Sequence, residues 1–174
     1  MPFNLQNFKS ALVGEGARGT LFEAQLIFPP FAGGVDRNFT FTCRAAQLPG
    51  KTFGVIEVPY FGRKVKIAGD QTFAEWTVTV INDESFVTRN AFETWMSGIN
   101  QHAGNVRTNP DYTANAYVTQ FAKTGEPIKE YKFVGLFPSD LAPIDVAWDQ
   151  NDTLEEYTVT LQYQWWESIT TDAA

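Results

Sequence analysis

Apolar and polar residues alternate with a period of two over most of this chain, and in one stretch the period changes to that of a helix. From Leu21 to Phe28, the apolar Phe22, Ala24, Leu26 and Phe28 are interleaved with Glu23 and Gln25. Asn38 to Ala46 repeats the pattern, with Phe39, Phe41 and Cys43 set against Thr40, Thr42 and Arg44. Ala74, Trp76, Val78 and Val80 alternate with Glu75, Thr77 and Thr79. Shorter runs follow at Asn115–Lys123, Lys129–Phe137 and Ile144–Trp148. The longest is Thr153–Trp166, where Tyr157, Val159, Leu161, Tyr163 and Trp165 face away from Thr158, Thr160, Gln162 and Gln164. Alternation of this kind gives a strand one dry face and one wet face, and the β-branched and aromatic residues favour it. The first two runs are expected to be antiparallel neighbours across the Pro29–Gly34 loop, and a Pro-rich turn is expected after Phe137.

The helical stretch lies between Glu84 and Ile99. Val87, Ala91 and Trp95 fall on one line and Phe92, Met96 and Ile99 beside it, the stripe that packing against a sheet demands. Asn82 and Asp83 are suited to cap its start, and Asp83 and Glu84 place negative charge at its positive end. Gly98 and Asn100 supply stop signals. Val87, Phe92, Trp95, Met96 and Ile99 are therefore expected to pack the helix onto the core.

Between the second and third strands, residues 47–70 are broken by Pro49, Gly50, Gly54, Pro59, Gly62 and Gly69 around short strand-like pieces at Val55–Val58 and Lys64–Ile67. This reads as an extended hairpin arm leaving the body. It carries Lys51, Arg63, Lys64 and Lys66 together with Glu57 and Asp70. Residues 1–20 read as a flexible arm with a short helical turn at Leu5–Leu12, because Gly14, Gly16 and Gly19 interrupt anything longer. His102–Ala114 reads as a loop. The expected fold is mainly β: about eight strands in an antiparallel β-sandwich or split barrel, with one flanking α-helix (about 84–99) and the hairpin arm (about 47–70). Residues 21–168 form one domain and 169–174 a short tail.

Composition narrows the function classes. The 174 residues are 44% hydrophobic and 15% aromatic, enough for a substantial core and incompatible with disorder. No apolar run is long enough to span a membrane, and the first residues do not read as a secretory signal. The single cysteine, Cys43, excludes an internal disulfide and reads as a small buried hydrophobe. One histidine, His102, and no cysteine pair argue against a metal centre, and no phosphate-binding glycine loop or nucleophile motif is present, so no cofactor and no catalytic residues are assigned. The net charge is −7 and unevenly spread: through Lys132 there are 13 basic and 12 acidic residues, whereas from Phe133 onward there are eight acidic and no basic ones. Such a chain does not hold nucleic acid by neutralising phosphates. The basic arm could instead dock on an acidic neighbour.

Five segments, in order, carry a family resemblance. GDQTFAEWTVTVINDE (69–84) closely resembles the tail tube proteins of contractile-tailed, T-even-like bacteriophages. FTFTCRAAQLPG (39–50), YFGRKVKIA (60–68), KEYKFVGLFPSDLAPIDVAWDQND (129–152) and YTVTLQYQWWES (157–168) are similar to that family as well, so that residues 20–168 are covered. The N-terminal arm, the FPPFAGG loop and the 102–114 loop depart from it. The resemblance implies a structural, non-enzymatic virion protein, assembled in the host cytoplasm, whose hexameric rings stack into the inner tube of a contractile tail. It implies as partners further copies of itself, the sheath protein, and baseplate and tail terminator proteins, with DNA passing through the lumen unbound. In such a tube the arm (Lys51, Glu57, Arg63, Lys64, Lys66, Asp70) would reach the adjacent ring and meet an acidic surface at Asp145, Asp149 and Asp152. The polar, uncharged row Thr158, Thr160, Gln162 and Gln164 would suit a water-filled lumen. A bacteriocin or type VI-like secretion tube would use the same architecture. A carbohydrate-binding sandwich, with Tyr117, Tyr163, Trp165 and Trp166 stacking on sugars, and a carboxylate-dependent hydrolase are the readings from other classes.

Overall fold

A computed structural model describes residues 5–105 and 111–171. Its elements are α1 (Leu5–Ala11), β1 (Phe22–Ile27), α2 (Asp36–Thr42), β2 (Cys43–Ala46), β3 (Lys51–Tyr60), β4 (Arg63–Phe73), β5 (Trp76–Ile81), α3 (Val87–Ile99), β6 (Ala114–Phe121), β7 (Pro127–Leu141), β8 (Glu156–Gln162) and β9 (Trp165–Ser168). Seven strands join in the order β1-β6-β7-β8-β5-β2, with β9 also on β7, and β3 and β4 pair separately. All pairings are antiparallel. The fold is therefore the mainly β architecture expected, with one main helix and a hairpin arm.

Strand β7 joins the two halves of the body. Its first half pairs with β6 and β9, and its second half with β8. Between them Gly135 adopts φ +67°, a conformation that side chains with a Cβ resist. A Cβ there would also lie 2.7 Å from Gln164 Cγ. The Pro-rich turn expected after Phe137 is absent: Pro138 continues β7, opposite Leu161. The bend is made by the glycine instead.

The core lies between the sheet and α3. Trp76, Val78, Val80, Ala116, Val118, Phe133, Tyr157, Val159 and Leu161 supply the dry sheet faces. The Trp76 and Phe133 rings stack at 4.5 Å. Over them Phe28, Phe39, Phe92 and Trp95 form an aromatic cluster, with Phe28 centred 5.0 Å from Phe92 and 5.6 Å from Trp95. Edge-to-face contacts of this kind add to the area they bury. Buried Trp N–H groups are satisfied by backbone oxygens, Trp76 Nε1 donating to Gln47 O and Trp95 Nε1 to Tyr112 O.

Several expectations need correction. Asn38–Ala46 is not one strand: residues 36–42 are helical, and only Cys43–Ala46 is extended. The Asp36 carboxylate accepts from Phe28 N at 2.8 Å, which pins the start of α2 beside the end of β1. The hydroxyls of Thr40 and Thr42 donate to the carbonyls of Asp36 and Asn38, a helix-compatible partner for residues that otherwise favour strands. Phe39 is buried and Phe41 points into solvent. Consequently β1 pairs with β6 and β2 with β5, not with each other.

Helix α3 starts at Val87, three residues later than expected, because Phe86 takes a left-handed conformation. Asp83 still caps, its Oδ1 accepting from Val87 N at 3.2 Å. Thr88, Ala91, Phe92, Trp95 and Gly98 form the buried face, so Gly98 is a packing residue inside the helix rather than a stop, while Val87 and Met96 are half-buried and Ile99 packs at the core margin. Ile144–Trp148 forms no strand. The last run is split: β8 ends at Gln162, and Tyr163 and Gln164 break the alternation, so that Trp165 is exposed and Trp166 turns toward the core. Cys43 is half-buried at the core margin rather than fully enclosed. The described strands number nine rather than eight, and the arm runs to Phe73 rather than residue 70. Part of the loop expected at His102–Ala114, residues 106–110, lies outside the described residues.

Candidate assembly surfaces

The hairpin of β3 and β4 leaves the body as a ribbon whose residues are exposed along almost its whole length. At its base it is held to the body by Lys51 Nζ, which sits 5.1 Å above the Trp166 ring, and by Phe73, whose ring lies 5.9 Å from that of Tyr163. The tip is a two-residue turn at Phe61 and Gly62, both at positive φ, the conformation that matches the twist of a tight hairpin.

Register sorts the side chains of this arm. Directly opposed residues share a face. Glu57 opposes Lys66 and Pro59 opposes Lys64, which places the charges together. The Glu57 carboxylate receives Lys64 at 2.7 Å and Lys66 at 4.0 Å. The other face holds Ile56 opposite Ile67, Val58 opposite Val65, and Tyr60 opposite Arg63. Arg63 therefore lies on the apolar face, apart from Lys64 and Lys66. Asp70 sits by the irregularity where Gly54 and Gly69 face each other, away from the paired lysines.

Asp145, Asp149 and Asp152 lie in the irregular segment between β7 and β8, and all three are exposed. A turn closed by Gln150 N donating to Ala147 O carries Trp148 and Asp149 at its tip. Trp148 is fully exposed, and Val146 and Leu154 are largely so. Of the neighbouring carboxylates, Glu155 accepts from Asn82 Nδ2 and Glu156 from Arg44, whereas no basic side chain of the described residues pairs with the three aspartates.

The family of tail tube proteins of phages matches residues 17–169 of this chain. The tail tube protein gp19 of Enterobacteria phage T4 is 35% identical over 158 residues, covering 88% of this chain and 93% of its own length. The chain belongs to the phage tail tube protein family. It is a tube protein of a contractile phage tail, a structural component of the virion. Among solved structures, a chain of the six-fold symmetrised baseplate of the anti-feeding prophage is similar in fold, with a TM-score of 0.63 at 11% identity, covering 87% of this chain and 94% of that one. A chain of the sheath-tube complex of the extracellular contractile injection system PVC, in its extended state, has a TM-score of 0.58 at 13% identity, covering 96% and 98%.

On the body of this tube protein, Thr158 and Thr160 of β8 oppose Thr79 and Thr77 of β5. These four threonines form a polar, uncharged patch on the sheet face turned away from the core. Gln162 extends it, donating to Glu75. Gln164 does not: it lies in the break between β8 and β9, its N–H donating to Val134 O. The aromatic residues considered for sugar stacking form no common platform. Tyr163 and Trp166 pack toward the core, Tyr117 is half-buried on β6, and the Trp165 indole N–H donates to Glu167. Among the described residues no group of three or more His, Cys, Asp or Glu could hold a metal ion, and no helix is long and apolar enough to cross a membrane.

Burial pushes the Cys43 thiol up to about 12, which favours the protonated form at neutral pH. The surface features that sequence reasoning passed over are Trp148, the aromatic tip Tyr60-Phe61 and the apolar face of the arm. The last was legible as alternation in VIEVPY and RKVKIA, which the glycines and prolines around it obscured.

Proposed function

We propose that this protein assembles into six-membered rings that stack into the inner tube of a contractile tail, through which the genome leaves, and that it catalyses nothing. The observation that carries this reading is the β3–β4 ribbon: a hairpin exposed on both faces, rooted in the body but paired with nothing beyond itself. A solitary two-stranded ribbon is marginal in water, and its backbone edges and apolar side chains invite a partner. The ends of the main sheet, β1 and β2, are likewise open edges. Ring closure through those edges and stacking through the arm would satisfy both, and a heterologous contact that repeats head to tail builds an open-ended fibre.

The similar chain in a six-fold baseplate supports the ring number, and the one in a sheath-tube complex supports the sheath as an outer partner. Baseplate and terminator proteins would meet the first and last rings. Identity of 35% to a phage tube protein, against 11% and 13% to the two injection-system chains, favours genome delivery over a bacteriocin or secretion tube. Thr77, Thr79, Thr158, Thr160 and Gln162 suit the lumen wall: they keep it wet yet give DNA phosphates no cation to grip. Arg63, at the tip of the arm, would reach the acidic segment at Asp145, Asp149 and Asp152 in the next ring.

Negative-stain electron microscopy with mass photometry tests the assignment. Rings or open-ended tubes of uniform width, forming alone or on a preformed ring as seed, are the expected result. A stable monomer that ignores the seed at every concentration would overturn it.

A further inference from the structure

We infer that the apolar face of the arm, not its charged face, is the stacking surface, and that it seats on the Trp148 turn of a second copy of this chain. This rests on the stacked-tube reading and says which atoms make the stack. Three observations lead to it. On the charged face Glu57 already accepts from Lys64 at 2.7 Å and stands 4.0 Å from Lys66. On the opposite face Ile56, Val58, Tyr60, Val65 and Ile67 are between 42% and 66% exposed, which for a contiguous row on a ribbon is a surface awaiting cover. Arg63 shares that face at the tip and is in no ion pair among the described residues.

The segment between β7 and β8 offers the complement. Trp148, Val146 and Leu154 are its exposed apolar residues, and the exposed Asp145, Asp149 and Asp152 lie near them in the chain, in no ion pair among the described residues. An apolar row ending in an arginine outside any described ion pair fits an apolar turn with unpaired aspartates beside it in the chain: the apolar residues supply the buried anchors, and the Arg63–aspartate pair sets polarity and register. The two surfaces are both exposed in one copy, so a contact between them joins two copies. Because donor and acceptor surfaces differ, the contact repeats in one direction along a stack.

The test is elongation of the full-length protein on a preformed ring seed, read by electron microscopy, with mass photometry counting free rings. In one variant the apolar face is made polar with strand-forming residues, Val58→Thr with Val65→Thr. In a second the charged face is neutralised, Glu57→Gln with Lys64→Gln and Lys66→Gln. In a third the seat is removed, Trp148→Ala. The first and third are expected to form rings but to need a concentration at least roughly tenfold higher to elongate, since losing a buried anchor costs about tenfold or more. The second elongates as the unmodified protein does. A fourth variant, Phe61→Cys with Gln150→Cys in a Cys43→Ser background, gives covalent ladders with a short bismaleimide in tubes and none in free rings. Normal elongation of the first variant, or failure of the second alone, overturns the assignment of the face. Absence of the ladder from intact tubes, or normal elongation of Trp148→Ala, overturns the seat. Variants of the first kind that elongate normally yet no longer bind purified sheath protein would give the face to the sheath instead. If the unmodified protein itself never adds to the seed, it is the stacked-tube reading that has failed.

Discussion

Gly135 is the residue on which the joining of the two halves of the body turns, and replacing it gives a worked prediction. In Gly135→Ala two costs add. The backbone sits at φ +67°, where an L residue is strained by roughly 1–2 kcal/mol. The new Cβ would approach Gln164 Cγ to 2.7 Å, so the glutamine must leave its rotamer, at about 1 kcal/mol. The total is about 2–3 kcal/mol, which with a urea slope of roughly 1–3 kcal/mol/M moves the unfolding midpoint down by about 1 M or more. The two parts separate by substitution. Gly135→Asn keeps the clash but tolerates positive φ better, and should recover most of the backbone part. In a Gln164→Ala background only Gln164 Cβ remains near, at 3.4 Å, so Gly135→Ala there should cost the backbone part alone. Urea unfolding of unassembled subunits, followed by near-ultraviolet circular dichroism, reads each value. A cost for Gly135→Ala below about 0.5 kcal/mol in both backgrounds would refute the claim that the bend of β7 requires glycine.

Phe92→Ala, which empties the centre of the Phe28–Phe39–Trp95 cluster, should cost about 3–5 kcal/mol in the same assay; a cost below 1 kcal/mol would show that the cluster does not hold α3. Burial raises the Tyr157 phenol above its ordinary 10.0, against the pull of Arg89, and its hydroxyl finds no hydrogen-bond partner among the described residues. The folded state thus holds this proton more tightly than the unfolded chain, and the stability it contributes is complete below pH 10 and lost as pH rises beyond it toward the folded value. Tyr157→Phe should be within about 1 kcal/mol of the unmodified protein at pH 7 and lose less stability between pH 10 and 11, and parallel pH profiles would count against it. Cys43 should react with a thiol reagent at pH 8 at least roughly 100 times more slowly in the folded protein than in urea; comparable rates would show that it is not protected. Thr158→Lys with Thr160→Lys should give tubes that retain DNA at low salt and release it at high salt, and tubes indifferent to DNA would remove this face from the lumen.

The sequence by itself determined the strands whose two faces meet different surroundings. Trp76–Val78–Val80 and Tyr157–Val159–Leu161 alternate because one side packs on α3 and its aromatic cluster while the other stays wet, and no distant contact is needed to read that. Most of the helix was legible for the same reason, since its stripe is local. The hairpin arm was legible from its glycines, and its tube-protein family from segments in register. What only the tertiary structure decided was everything set by a contact far along the chain. FTFTC has the alternation of a strand, yet the Asp36 bond to Phe28 and the threonine hydroxyls bonded back along the helix outweigh a propensity of this size. The greasy run through Trp166 reads as one strand, and it keeps a single register along β7 on both sides of Tyr163 and Gln164, but its buried face changes opposite Gly135, so that Trp166 and not Trp165 meets the core. The arm shows the limit most directly. Its composition announces a basic ribbon. Its register, set by where the turn falls, decides that Lys64 and Lys66 lie on the face of Glu57 while Arg63 sits with the apolar row. Composition counts charges, but a one-residue shift in pairing moves every side chain to the other face, and only the folded chain fixes that shift.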